Sequence, residues 1–241
     1  MRLLVDFLCR FGWGLAAALA VTPATLVPAG FFRANLLVVL GLASVAACLA
    51  RAEVPGPAWL LATAAAVISW IGSIAWFGER TRAGVASCVL AAVLLAGATV
   101  LVQDRGGAAA AAGSLVSGLV VGLTVHAMLL GHWYLNAPGM SVAALRRMID
   151  WSLAAWAFQV VLCLVAVVVQ MTAGGPRPSG GTVTALVSLR WLAGLVGLPI
   201  LLVMSRKTLD IPNTQSATGI LYVACLAAIL GELTAQLLLA A

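Results

Sequence analysis

Apolar residues run along this chain in eight long blocks, each closed by glycine, proline or charged residues. A helix rises about 1.5 Å per residue, so roughly 20 apolar residues cross the hydrocarbon core of a bilayer. The blocks fall at about Phe7–Pro28, Ala34–Ala50, Ala58–Phe77, Gly84–Val102, Gly113–Leu135, Trp151–Gln170, Thr182–Met204 and Thr214–Leu239. The first is the least sharply bounded, because Thr22-Pro23 and Pro28 both interrupt a helix. Trp59 and Trp76 stand at the two ends of the third, as interface anchors do. Ser141 is placed to cap a helical extension leading into the sixth, and Asn213 or Thr214 to cap the eighth. Pro199 is expected to kink the seventh and to free the carbonyl of Leu195.

Between the blocks lie Arg51 and Glu53, Pro55-Gly56-Pro57, Gln103-Asp104-Arg105-Gly106-Gly107, Gly174-Gly175-Pro176 and the stretch Ser205–Asn213. None has room for a domain of its own. The pattern predicts one all-α domain, a polytopic integral membrane bundle of about eight transmembrane helices, surrounded by lipid. No internal repeat stands out.

Composition sharpens this. Of 241 residues, 63% are hydrophobic and 8% charged, against about 25% charged in an average soluble domain. A soluble surface cannot be covered by so few charges, and disorder requires the opposite balance. The net charge of +6 does not point to nucleic acid. All Lys and Arg except Arg190 lie at the N-terminus or near block ends, where anionic headgroups attract them, and no basic run carries interleaved aromatics for base stacking. Arg2 and Arg10 ahead of small residues mimic a signal peptide. The chain behind them is all membrane, so the segment reads as a retained first span. One face collects Arg33, Arg80, Arg82, Arg146, Arg147, Arg206 and Lys207, the other Arg2, Arg10, Arg51, Arg105 and Arg177. The excess favours both termini on the non-cytoplasmic side of a cell or inner membrane. The five cysteines have no C-x-x-C spacing and lie in apolar runs, which suits small buried side chains rather than a disulfide framework or a metal site.

Polar residues divide the blocks. Residues 1–107 read as an apolar scaffold, with Ser69 and Ser73 the main polar groups inside blocks two to four. Residues 108–241 place His126, Gln159, Arg190, Tyr222, Glu232 and Gln236 inside blocks, where ionisable groups are costly and face a packed interior or a wet cavity. Ser114, Gly118, Gly122 and His126 recur every four residues and share one helix face, so another helix can approach closely and His126 points into that interface. Arg190 and Glu232 lie at matching depth from one face, roughly 10–12 Å by helix rise, which suggests a buried ion pair, with Gln236 one turn beyond. Gly194 and Gly197 share the Arg190 face. His126, Gln159 and Tyr222 are at matching depth near the opposite face, and such a layer could hold a quinone carbonyl. On that face lie His132, Trp133, Tyr134 and Asn136, together with Arg206, Lys207, Asp210 and Gln215. These form either an aromatic belt with helix caps or a rim where a peripheral subunit docks.

Much chemistry is excluded. Only two histidines are present, and six residues turn a helix by about 600°, so His126 and His132 point about 120° apart. A bis-histidine haem within the chain is nearly excluded. A single haem on His132 with Met140 or Met204 is a remote option. There is no P-loop, dinucleotide fingerprint, H-E-x-x-H or G-x-S-x-G. In helix count and composition the chain resembles the quinol-interacting membrane anchors of multisubunit oxidoreductases, the NrfD-like family, although no residue carries over. Three functions follow as expectations. The first is a non-catalytic membrane subunit or anchor of a larger complex, able to contact quinone and peripheral or other membrane subunits. The second is a small-solute, proton or ion transporter using Glu232, Arg190 and His126. The third is a lipid-processing enzyme with His126 or His132 as base.

Overall fold

The computed structural model describes residues 1–103, 107–137, 139–173, 180–211 and 213–240. Among them the chain is helical, with no strand: α1 (Arg2–Val21), α2 (Ala29–Glu53), α3 (Ala58–Phe77), α4 (Thr81–Val102), α5 (Gly107–Asn136), α6 (Ala143–Ala173), α7 (Gly181–Leu189), α8 (Leu198–Thr208) and α9 (Thr214–Ala240). A π-helical segment, Arg190–Gly197, joins α7 to α8 into one continuous span. Eight of these stretches are long and apolar enough to cross a membrane, and together they form an all-α bundle. The expected turns at 104–106 and Gly174-Gly175-Pro176, the charges Arg105 and Arg177, and Pro138 and Pro212 lie outside the described residues.

The first span differs from the sequence reading. It starts at Arg2, ahead of Phe7, and ends at Val21. Asp6 and Arg10 do not end the helix, because residues four apart share a face and these two neutralise one another. Thr22 is extended (φ −72°, ψ 128°), the conformation a following proline imposes, and Pro28 serves as the N-cap of α2. Asn213 caps α9 by accepting from the Ser216 amide at 2.9 Å. Ser141 accepts from the Ala143 amide at 3.3 Å at the start of α6. Pro199, which has no N–H to continue the α ladder, is preceded by eight residues of π-helix where the sequence suggested a kink. The wider turn redistributes the carbonyls that the proline leaves unpaired.

Helices α1 to α4 pack as successive antiparallel hairpins, closed into a ring by α1 against α4. Helices α5, α6, α7–α8 and α9 repeat this arrangement, with α9 closing against α5. The rings meet along α1 and α5. Arg10 lies beside Ser117, and Thr22 beside His126, so these two helices run parallel. Their backbones touch. A Cβ added at Gly14 would collide with the Gly118 carbonyl, and one at Gly122 with the Gly14 backbone. Small residues allow such contact where lipid gives no hydrophobic drive to helix association. The polar side chains of α2 to α4 mostly bond back to their own helix, as Asn35 does to Phe31, Ser69 to Ala65, Ser73 to Trp70 and Thr99 to Leu95.

Candidate functional site

The largest concentration of buried charge is where α1, α5 and α9 meet. Asp6 and Arg10 lie one turn apart on α1. The Arg10 fork donates to both Asp6 oxygens, Nε to Oδ1 at 2.9 Å and Nη2 to Oδ2 at 2.5 Å. Its Nη1 donates to Glu232 Oε1 at 2.6 Å and to Ser117 Oγ at 3.4 Å. With its amide oxygen turned toward α1, Gln103 accepts from Arg10 Nη2 at 2.5 Å and donates to Ser114 Oγ at 2.9 Å. All five N–H donors of Arg10 thus have acceptors. Arg10, Glu232 and Gln236 are almost wholly enclosed, at 4%, 3% and 2% exposure.

This corrects the sequence reading, which paired Glu232 with Arg190. Arg190 instead donates from Nη2 to Cys163 Sγ at 3.0 Å, and a thiol is a weak acceptor. Arg10 is also not a surface charge. It lies about 12 Å along α1 from its start, which removes it from the loop count behind the orientation preference.

Glu232 is incompletely satisfied. Its Oε1 takes Arg10 and the Gln236 amide, the latter at 3.0 Å. Its Oε2 and Gln236 Oε1 are buried without a donor. Glu232 also lines a cleft shared with Ser117, Val120 and Val121 of α5, Gln159 of α6, Arg190 and Gly194 of the π segment, and Ala228 and Gly231 of α9. Three of the expected polar residues, Gln159, Arg190 and Glu232, therefore meet at one cleft, although no ion pair joins the last two. A water molecule's centre can reach about 10 Å³ of the cleft. One water needs about that much. Its floor is a second close crossing, where a Cβ on Gly194 would lie 3.0 Å from the Gly231 Cα.

The cleft forms where α6 leaves the bundle. Leu145, Met148, Ile149 and Ser152 of α6 are fully buried, whereas Val161, Leu164, Val165, Val168 and Val169 are each more than half exposed. On the facing π segment, Trp191 and Leu192 are exposed as well.

The layer expected from His126, Gln159 and Tyr222 does not assemble. His126 is fully buried and its Nε2 lies 2.7 Å from Thr22 Oγ1. That hydroxyl gives its one proton to the Ala18 carbonyl at 2.7 Å, so Oγ1 accepts from His126 Nε2–H and the imidazole is the Nε2–H tautomer. Phe31 stands edge-on to the ring at 5.3 Å. His126 therefore ties the α1–α2 turn to α5. Tyr222 is 46% exposed and meets His132 Nδ1 at 3.1 Å.

The rest of the rim is held locally. Trp133 packs edge-on to Phe31 at 5.7 Å, and Tyr134 Oη donates to the Ser141 carbonyl at 2.5 Å. Arg206 bonds Asp150 at 2.9 Å and Asp210 at 3.5 Å. Asn136, Lys207 and Gln215 are exposed.

Asp6, Arg10, Gln103, Ser117 and Thr22 were not among the expected site residues. One signal existed. Asp6, Arg10 and Gly14 repeat every four residues, matching Ser114, Gly118 and Gly122 on the helix they meet. The chain matches no protein-family model, no curated protein and no solved structure.

Proposed function

We propose that this chain is a multi-pass membrane transporter of a small polar solute. Its binding site is the cleft between α5, α6, the π segment and α9, and Glu232 is the group that changes partners during the cycle. The observation that carries this reading is the asymmetry of Glu232. One carboxylate oxygen is anchored on a saturated Arg10. The other, buried and without a donor, belongs to a residue lining a cleft that also holds Gln159 and Arg190. A purely structural clamp has no use for the open oxygen, since an unsatisfied buried acceptor costs about 1–3 kcal/mol. Ionisable groups at this depth serve solute and ion paths in membrane proteins. The π segment supplies one wall, and such segments recur at functional sites.

Access to the cleft tests this without knowing the solute. With Cys9, Cys48, Cys88, Cys163 and Cys225 replaced, Gln159→Cys is expected to react with a membrane-impermeant thiol reagent from each face of sealed vesicles. A folded protein unreactive from both faces, or reactive from one only, contradicts alternating access. A second reading, a membrane anchor for a partner subunit, is supported by the exposed apolar face of α6 from Val161 to Met171. It expects Gln159→Cys to be silent from both faces, and a partner to co-purify in fixed ratio after mild extraction.

A further inference from the structure

We infer that the cleft is built for a small zwitterion of amino-acid type, with its carboxylate on Arg190 and its ammonium on the open oxygen of Glu232. This rests on the transporter reading above and names the solute class.

The hydrogen-bond inventory comes first. Arg190 has five N–H donors, and its one hydrogen bond among the described residues goes to the Cys163 thiol. Glu232 Oε2 is an acceptor with no donor. A ligand that satisfies both needs an acceptor at one end and N–H donors at the other. Gln159, the remaining polar group from α6, offers both and can serve either end.

Charge balance points the same way. The charged side chains lining the cleft are Glu232 on α9 and Arg190 on the π segment, with Asp6, Arg10 and Arg2 of α1 behind Glu232. The two that line the cleft, a carboxylate and a guanidinium, sum to zero. Ser117, Gln103, Gln236 and Gln159, the other polar groups packed around them, are neutral. A zwitterion leaves the sum at zero. A lone anion or cation adds an uncompensated charge in an apolar enclosure, which is costly.

Placement and size complete the case. Glu232 follows Gly231 directly, and Arg190 lies one turn before Gly194, the two glycines at which α9 and the π segment touch. The opposed charges therefore flank a single crossing point. A water molecule's centre can reach about 10 Å³ of the cleft, room for about one water, so a ligand enters only as a wall gives way. Gly194, Ala228 and Gly231 leave room only for a compact molecule. The wall free to yield is the exposed half of α6.

The test is equilibrium binding to the purified full chain in detergent. The probes are glycine, L-alanine, L-serine and β-alanine, compared with alaninamide, which lacks the carboxylate, and N-acetylalanine, which lacks the ammonium. At least one zwitterion is expected to bind, with each truncated analogue weaker by roughly tenfold or more. Arg190→Gln is expected to abolish discrimination against alaninamide only, and Glu232→Gln discrimination against N-acetylalanine only. This crossed pattern is one that misfolding cannot produce. Equal binding of the truncated analogues overturns the proposal, and so does failure of every zwitterion to bind. If Gln159→Cys still reacts from both faces in that case, the transporter reading survives and the solute class alone is wrong. If it is silent, both fall.

Discussion

Helices α1 and α6 belong to one bundle and have opposite fates. In its most apolar stretch α1 has a mean hydropathy of 1.6 and is 56% buried within the chain, whereas α6 reaches 2.4 and is 6% buried. The less apolar helix is the more enclosed. In water the order would be reversed, because burial follows hydrophobicity. Against lipid, tails are as apolar as leucine, and close packing and polar contacts hold helices together. Helix α1 offers both, through Gly14 against α5 and Arg10 between Asp6 and Glu232. The distal half of α6 offers only the weak Cys163 thiol to Arg190, and the cleft lies at the seam between the two kinds of packing.

The largest break in this contrast comes from Arg10→Ala, which removes the guanidinium that joins the buried carboxylates of Asp6 and Glu232. It is expected to cost about 3–5 kcal/mol, read as loss of a monodisperse, heat-stable species in detergent. Replacing Asp6, Arg10 and Glu232 together with leucine or methionine is expected to recover most of that stability, since an apolar set of similar volume can match a buried ionic one. Gly14→Leu forces the α1 and α5 backbones apart and is expected to cost about 3 kcal/mol, the upper end for overpacking. A stability equal to the unmodified chain contradicts the parallel α1–α5 crossing. His126→Ala removes one buried hydrogen bond and the edge contact to Phe31, for about 1–2 kcal/mol, with access to the cleft unchanged. A loss of cleft labelling there would restore His126 as a site residue. The smallest effect belongs to α6: Val165→Ala is expected to stay within about 0.5 kcal/mol. A larger cost would mean that this face is packed against something in the assembled protein.

The sequence made the spans legible because runs of apolar residues and their Gly, Pro and Arg closers are set by bilayer thickness and backbone chemistry alone. The third span falls at Ala58–Phe77 in sequence and structure alike. Span one differs at both ends, since Asp6 and Arg10 look like a boundary until each is seen to answer the other, and α2 and α5 also start ahead of Ala34 and Gly113, at Ala29 and Gly107. The site was half legible. Gln159, Arg190 and Glu232 stand out as polar groups in apolar runs, and all three line the cleft. Their pairing was not legible. Depth counting finds a cation for Glu232 on α7–α8, but Arg10 sits at a similar depth on α1, eight residues from its start. Which cation wins depends on which helix lies against that face of α9, and one-dimensional depth does not contain that. The same gap explains His126, Gln159 and Tyr222, which share a depth and point to three different neighbours.

The most direct measurement is the ratio of thiol-labelling rates at Gln159→Cys from the two faces of sealed vesicles, taken with Glu232 present and again with Glu232→Gln. If Glu232 changes partners to open the cleft alternately, its amide variant settles in one state. The ratio then shifts by roughly tenfold, the scale of losing one charged hydrogen bond, while thermal stability falls only modestly. An unchanged ratio in a folded protein would show that Glu232 is a clamp and that the cleft plays no part in transport.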